Sequence, residues 1–524
     1  MKILWIFMSI ASMFVTSKSF KKPSNFIYHP QNHYLSGVFR PVDKETDLEI
    51  THNNSLFSSL DTKIFLQIGS NPRHIGTTNA GYHWFDGDGM IHGVFFDKNK
   101  IRYTNRWVQT KRLKAEKKWG QKMFLYFGEL RGFRGFMQII KWSIYQYFKL
   151  LPGSKGTANT ALIEWNNRLY ALHEGDLPYE INIHPNHANI STIEQHLWSC
   201  NFKSVTAHPK IDLKRNEIYF YGYNNYDFSK GIFFHNVIDS NMNIKKQTNF
   251  SLLNNGMVHD IAMTENHMII PDLPLKYNFS QIFKNKLPLV FDLNGTTRFG
   301  VFAKDNPNTI DWYYLHENVF IFHFCKSFET INSFTTYACS MESLDMMDFV
   351  HLENKEYKIR GNLRLHKIIL DKKTKKAVLQ KNMFIENLGL YFPEVDFPYN
   401  LDFPVEETTK SDPYVYCSIF DATTGRIRGN LRVNSIDFTR RKPDVFILED
   451  QFINSEQQIV YVDKKPLLIS FSYDNLERSF VSLVDIPNKK CHSLKISDSI
   501  RIPPGFHSYI GNYKTFLSSN NIHV

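Results

Sequence analysis

Short runs of β-branched and aromatic residues, each closed by a polar turn, recur along most of this 524-residue chain. His92-Gly93-Val94-Phe95-Phe96 and Ile101-Arg102-Tyr103 flank one such turn. Ile211-Asp212-Leu213 and Ile218-Tyr219-Phe220-Tyr221 flank another. Leu289-Val290-Phe291 and Phe299-Gly300-Val301-Phe302 flank a segment containing Asn294-Gly295, a strong hairpin signal. Further hairpins are expected around Ile368, Tyr416, Ile459 and Leu468. Residues of these types between turn formers predict an antiparallel all-β protein. By length alone the chain holds two to four ordinary domains, but many short strands can also close into one large propeller. Strand counting does not separate a propeller from a sandwich.

One stretch, residues 111–151, breaks the pattern with helical spacing, as in Gln138-Ile139-Ile140-Lys141-Trp142-Ser143-Ile144-Tyr145. From 122 to 151 it has one acidic residue, Glu129, against Lys122, Arg131, Arg134, Lys141 and Lys149. Phe124, Tyr126, Phe127, Phe133, Phe136 and Trp142 lie among them. Such a segment can pack its apolar face on a core or lay it in a membrane interface.

Four histidines stand far apart in sequence: His208 in Thr-Ala-His-Pro-Lys, His259 in Val-His-Asp, His323 in Phe-Ile-Phe-His and His507 in Gly-Phe-His. Neutral imidazoles bind iron, copper, nickel or zinc. Four of them leave positions open on an octahedral metal, where a small molecule such as dioxygen can bind. Drawing them together requires a fold that brings many segments to one axis. Any one of the 21 histidines is more readily a surface or core residue than a ligand, so the flanking residues carry the argument.

Those flanks resemble the carotenoid cleavage dioxygenases, which include the plant epoxycarotenoid cleavers, the closest in pattern, and the retinal-pigment-epithelium isomerase. Tyr82-His83-Trp84-Phe85-Asp86-Gly87-Asp88-Gly89-Met90-Ile91-His92 is similar to the family's N-terminal signature. Gly156-Thr157-Ala158-Asn159-Thr160-Ala161-Leu162 leads into Arg168-Leu169-Tyr170-Ala171-Leu172-His173-Glu174-Gly175-Asp176, again a family pattern. The four histidine contexts follow in family order, with Ile269-Ile270-Pro271-Asp272 and Thr297-Arg298-Phe299-Gly300 between them. Several motifs in one order are far more specific than a single short match.

The resemblance implies a seven-bladed β-propeller with a helical cap over 111–151 and iron(II) on the axis, held by His208, His259, His323 and His507. It also implies carboxylates behind the ligands. Glu174 and Glu456 match two of them, and Tyr391 stands where the alignment expects the other, with Glu394 three residues on. Lys326-Ser327 replaces the family's Asn-Ala pair after His323, with the spacing to Glu329 kept. The implied reaction is cleavage of a C=C bond in a carotenoid or apocarotenoid by dioxygen, giving two carbonyl products.

Alternatives are a stilbene or phenylpropanoid cleaver, with Tyr82 or Lys111-Arg112 anchoring the phenol, a retinyl-ester isomerohydrolase, and a non-catalytic propeller that binds lipid or protein. Asp86 and Asp88, flanked by glycines, suit a turn better than acid–base work. No P-loop, dinucleotide fingerprint or nucleophile elbow occurs.

The net charge of +11 reflects lysines spread along the chain. It suits a basic surface drawn to an anionic membrane better than nucleic acid, for which no binding motif occurs. Five cysteines without CxxC spacing predict free thiols. Residues 1–20 begin Met1-Lys2 and run apolar from Ile3 to Val15. They fit a secretory signal, a membrane-surface helix or a disordered leader. Residues 21–524 are expected to form one domain, reached through the secretory route or held at a membrane, with a cytoplasmic location left open.

Overall fold

The computed structural model describes residues 32–75, 81–198, 202–223, 231–344, 363–405, 412–422 and 424–517. The N-terminal segment 1–20 and Cys200 lie outside the described residues. The fold is all-β. Its first sheet runs Thr46–Thr51, Lys100–Trp107, Gly89–Asp97, Lys63–Ser70 and, last, Ser508–Asn512 from the other end of the chain. Ser508 pairs with Gln67 and Asn512 with Lys63, so the two ends of the described chain share one sheet.

A four-stranded meander follows: Ala161–Trp165, Arg168–Leu172, Tyr179–His184 and Asn189–Gln195. The next is built on Glu217–Tyr223, with Ile232–Asp239 and Ile244–Ser251 beyond it. An eight-stranded sheet consists of two meanders, from Ala262 to Leu315 and from Phe320 to Gln380. They are joined edge to edge by the parallel pairs Tyr314–Lys376 and Leu315–Ala377. A nine-stranded sheet spans Tyr399 to Ser497.

The sheets pack face to face in sequence, and the last packs on the first. Ile64, Leu66 and Ile91 meet Leu169, Tyr179 and Ile181. Trp165 and Tyr170 meet Ile218 and Phe220. Tyr219 and Phe233 meet Met268, Ile270 and Phe302. Tyr337 and Ile368 share a cluster with Leu401, Val415 and Ile419. Phe65, Val94 and Tyr103 meet Ile469, Phe471 and Val481 of the last sheet. Burying side chains of this size gives roughly 1.5–3 kcal/mol each. The ring therefore closes through apolar contact as well as through the terminal strand.

Most expected hairpins form, including Gly89–Asp97 with Lys100–Trp107 and Gln458–Val462 with Lys465–Asp474. The Asn294-Gly295 hairpin does not. Thr297–Ala303 has both edges taken, by His267–Asp272 and Asp311–Leu315. Leu289–Phe291 instead pairs with Leu275–Tyr277. The turn itself forms, since Gly295 N–H donates to the Asp292 carbonyl at 2.9 Å. The residues make the turn their chemistry favours, but longer strands outcompete the local partner.

The non-β stretch holds two α-helices, Lys111–Trp119 and Gly132–Tyr147. Thr110 caps the first, its hydroxyl accepting from Leu113 N–H at 3.0 Å. Gly120 ends it with φ of 66°, the left-handed geometry that favours glycine at a helix C-terminus. No described helix is long and apolar enough to cross a membrane.

Candidate metal centre

His208, His259, His323 and His507 converge although their segments are scattered along the chain. One ligand-type atom from each lies within 4.8 Å of the other three. Ring centroids are 4.5 Å apart for His208–His507, 4.6 Å for His208–His259 and 5.0 Å for His323–His507. All four are buried or nearly so.

Strand ends and bulges aim them. His259 lies just ahead of Ala262–Met263, and Tyr221 Oη donates to its backbone carbonyl at 2.9 Å. His323 lies inside Phe320–Glu329, where the register with Ser333–Met341 shifts between Ile321 and Phe324. A bulge bends a strand and re-aims a side chain. His507 directly precedes the closing strand, and its carbonyl accepts from Ile68 N–H at 2.9 Å. His208 N–H donates to Thr206 Oγ1 at 2.9 Å.

Three carboxylates stand behind the rings. Glu174 Oε1 is 2.7 Å from His259 Nδ1, Asp402 Oδ1 is 2.9 Å from His323 Nδ1, and Glu456 Oε2 is 3.1 Å from His507 Nδ1. Glu456 also accepts from Ser508 N–H at 3.1 Å. Burial pushes the Glu174 carboxyl up, but His259 outweighs it and holds the group well below the usual range. Such pairs place the ring proton on Nδ1 and leave Nε2 as a bare lone pair facing inward.

The resulting geometry tests the fit of a cation. His259 Nε2 and His323 Nε2 are 3.3 Å apart. With both Nδ1 protons committed to carboxylates, neither Nε2 has a proton to give, so the contact is not a hydrogen bond. Two facing lone pairs at that distance suit a shared electrophile. Nitrogens bound about 2.1 Å from one ion lie about 3–4.2 Å from each other, within the observed spread. The donor set therefore fits a first-row transition metal.

The third carboxylate is Asp402, not Tyr391. Tyr391 ends a short helix, Leu388–Tyr391, with its ring 4.7 Å from Phe384 and its carbonyl taken by Lys442 Nζ at 2.9 Å. Glu394 pairs with Lys489 at 2.9 Å. Three Phe-Pro pairs follow one another here, at 392, 397 and 403. Only the last brings a preceding carboxylate to a metal-site histidine. Lys326 and Ser327 are spent outside the cluster, on the Asp412 carbonyl and on Thr336 Oγ1 at 2.7 Å. Glu329 bonds His267 at 2.5 Å.

Sequence reading also missed a clamp formed by the motif flanks. Asp260, beside His259, pairs with Lys210 Nζ at 2.8 Å and accepts Phe324 N–H at 2.8 Å. Lys210 follows His208 by two residues and Phe324 follows His323 by one. A single buried carboxylate thus ties three of the histidine-bearing segments together. Its signal was already in the quoted motifs, as an acid and a base beside two histidines.

Aromatic rings wall the site. Phe322 is 5.5 Å from His259, and Phe403 is 5.7 Å from His323 and 5.6 Å from His507. Phe506 packs against Trp84 and Phe85 of the N-terminal signature, tilted at 4.6 Å and edge-on at 5.7 Å.

The family model for retinal pigment epithelial membrane protein matches residues 40–510. The chain belongs to the carotenoid cleavage dioxygenase family. A carotenoid 9,10(9′,10′)-cleavage dioxygenase of Crocus sativus is 30% identical over 520 residues, covering 93% of this chain and 91% of that one. One from Pisum sativum is 31% identical, covering 91% of this chain and 90% of its own. Among solved structures, the Pseudomonas brassicacearum lignostilbene dioxygenase superposes with a TM-score of 0.74 at 16% identity, covering 93% of this chain and all of its own. A cobalt-substituted Synechocystis apocarotenoid oxygenase gives 0.71 at 18% identity, covering 90% and 97%. At these identities the two structures establish the fold shared by this carotenoid cleavage dioxygenase family member.

Proposed function

We propose that this family member cleaves a C=C bond of a carotenoid or apocarotenoid with dioxygen, using iron(II) held by His208, His259, His323 and His507. The observation that carries the ligand set is the convergence of four imidazoles backed by Glu174, Asp402 and Glu456. The chemistry that iron(II) supplies in such a site is activation of dioxygen toward an electron-rich double bond. Neutral ligands leave the full charge of the ion unbalanced at first hand. The outer carboxylates temper that charge and fix each ring's tautomer. Phe322, Phe403 and Phe506 exclude water and offer flat apolar surface to a conjugated chain. Tyr82 Oη is bonded to Ser70 at 2.8 Å, Lys111 Nζ to Gln195 at 2.8 Å and Arg112 to the Asp86 carbonyl at 3.3 Å. The phenol anchors that a stilbene substrate would need are thus engaged elsewhere.

The finer fold reading is one seven-bladed propeller over 21–524. Four-strand groups in the five larger sheets support it: one each in the first three, two in the eight-stranded and two in the nine-stranded. Helix Gly132–Tyr147 would act as a cap that docks on a membrane. It meets the turn Phe279–Lys284, with Phe136 and Phe283 centroids 5.5 Å apart. Phe133 and Phe283 are 76% and 72% exposed, with Phe279 and Met137 beside them. Exposed Arg134, Lys141, Lys284 and Lys286 surround the patch. Aromatic wedges ringed by cations suit an anionic interface from which a water-insoluble polyene is drawn.

The test is iron content of the purified protein with aerobic and anaerobic assay of carotenoid cleavage. Each histidine-to-alanine variant should lose most iron and activity. A variant that keeps both removes that histidine from the ligand set.

A further inference from the structure

Tyr221, on strand Glu217–Tyr223, grips the segments that carry His208 and His259 at once. Its main chain holds the first. The Tyr221 carbonyl accepts Thr206 N–H at 2.9 Å, and Thr206 Oγ1 accepts His208 N–H at 2.9 Å. The adjacent pairs Gly222–Val205 and Tyr223–Ser204 keep that segment in register. Its side chain holds the second. Tyr221 Oη bonds the Val258 carbonyl and lies 2.9 Å from the His259 carbonyl, so one O–H is shared between neighbouring peptides.

The mount is rigid and the stretch it grips is not a strand. Tyr221 is fully buried, its backbone pairs with His235 on the other side, and its ring stacks on Phe233 at 4.7 Å. Residues 252–261, by contrast, join no sheet. Glu174 fastens the His259 ring at Nδ1 alone, and a ring held at one point pivots about it. The Tyr221 hydroxyl fixes the peptide from which that ring hangs, which supplies a second point. Tyr219 lies two residues back on the same face of the strand, yet spends its hydroxyl on Glu217 at 2.5 Å.

We propose that Tyr221 is a positioning residue for the metal centre, setting the His208 segment with its carbonyl and the His259 main chain with its hydroxyl. The inference rests on the reading of the four histidines as a ligand set. The two rings it governs have centroids 4.6 Å apart. The hydroxyl bonds main chain and not imidazole, so its effect passes through the peptide. Nε2 is the far end of the His259 side chain, where a small rotation of the peptide is magnified. Such sites need their supporting residues to hold ligand atoms within about 0.5 Å.

The test compares Tyr221→Phe with Tyr219→Phe in the full-length protein. Each keeps its ring and deletes one hydroxyl from one face of one strand. Cobalt(II) is the probe, because its visible absorption reports how its ligands are arranged. Tyr221→Phe should weaken cobalt affinity roughly tenfold and change the absorption envelope of what binds. Tyr219→Phe should match the parent in both, whatever it does to the melting temperature. A second readout needs no metal. In protein carrying isotope-labelled histidine, the nitrogen NMR signal of His259 Nδ1–H, held by Glu174, should shift or broaden in Tyr221→Phe alone. An unmoved His259 signal overturns the proposal whatever cobalt does. Equal changes in the two variants overturn it too, since they mean general loosening, as does parent-like cobalt binding in Tyr221→Phe when the parent takes up cobalt. A parent that binds no cobalt, with a His259 signal that still answers to Tyr221→Phe alone, would sink the ligand reading and leave the tie standing.

Discussion

Asp402 Oδ1 lies 2.9 Å from His323 Nδ1, joining the last residue of Tyr399–Asp402 to a ring on Phe320–Glu329. The contact crosses from one sheet to the next, so it reports on how two sheets are set as well as on the ring's tautomer. Asp402→Ala should weaken iron affinity or activity roughly 10- to 100-fold. Asp402→Glu should retain part of both, and Tyr391→Phe should change neither. Iron affinity by chelator competition reads all three. Equal losses in the Asp402 and Tyr391 variants would remove Asp402 from its assigned place.

The Lys210–Asp260 pair makes a different claim, about geometry. Asp260 is fully buried and Lys210 nearly so. Asp260→Asn keeps an oxygen for Phe324 N–H but leaves Lys210 buried without its counter-charge. Breaking such a pair costs on the order of 3–5 kcal/mol. Thermal unfolding should show the loss, and iron content should fall with it because three ligand segments slacken. Adding Lys210→Met should recover a large part of the stability. If the double variant is no more stable than Asp260→Asn, the cost lies elsewhere.

The strands were legible because alternating apolar residues and polar turns are local signals, and the four converging histidines because their flanks form family motifs. Partners were not legible. Asn294-Gly295 announced a turn correctly, yet the strand after it had two longer neighbours available. Asp402 escapes a sequence reading because Phe-Pro occurs three times within thirteen residues. Only the sheet-to-sheet arrangement decides which copy faces His323. Tyr221 carries no motif of its own. Its meaning comes from two histidine-bearing segments that meet its strand only in the fold.

Asp86 offers a test by pH. Its carboxylate accepts His83 N–H at 2.9 Å and Gly128 N–H at 3.0 Å, as well as Phe127 N–H, and so fastens the signature segment to the helix-bearing one. Burial nevertheless raises its pKa from 3.8 to about 6, against those bonds and the Arg112 charge. Between about pH 4 and 6 the folded protein holds a proton that the unfolded chain has released. Protonation at this site therefore stabilises the fold as pH drops through the window, by at most about 3 kcal/mol. Asp86→Asn does not titrate. The melting temperature of the parent minus that of the variant should rise from pH 7 to pH 4, with other titrations cancelling. A flat difference would show that the carboxylate is not strained.

The proposed membrane docking turns on which aromatic residues face outward. Trp142, in the middle of the basic aromatic stretch, is half-buried and lies near Lys155, whereas Phe133 and Phe283 are largely exposed. Phe133→Glu and Phe283→Glu should each reduce flotation of the protein with anionic liposomes, in a form lacking residues 1–20 so that this apolar segment does not contribute. Their melting temperatures should stay close to the parent's, because exposed positions away from the core change stability little. Raising salt should weaken binding in part, by screening Arg134, Lys141, Lys284 and Lys286, while the apolar share persists. Binding that salt abolishes entirely would mean a purely electrostatic contact without insertion. Unchanged flotation of both glutamate variants would move the docking face away from Gly132–Tyr147, and the aromatic patch would then need another partner.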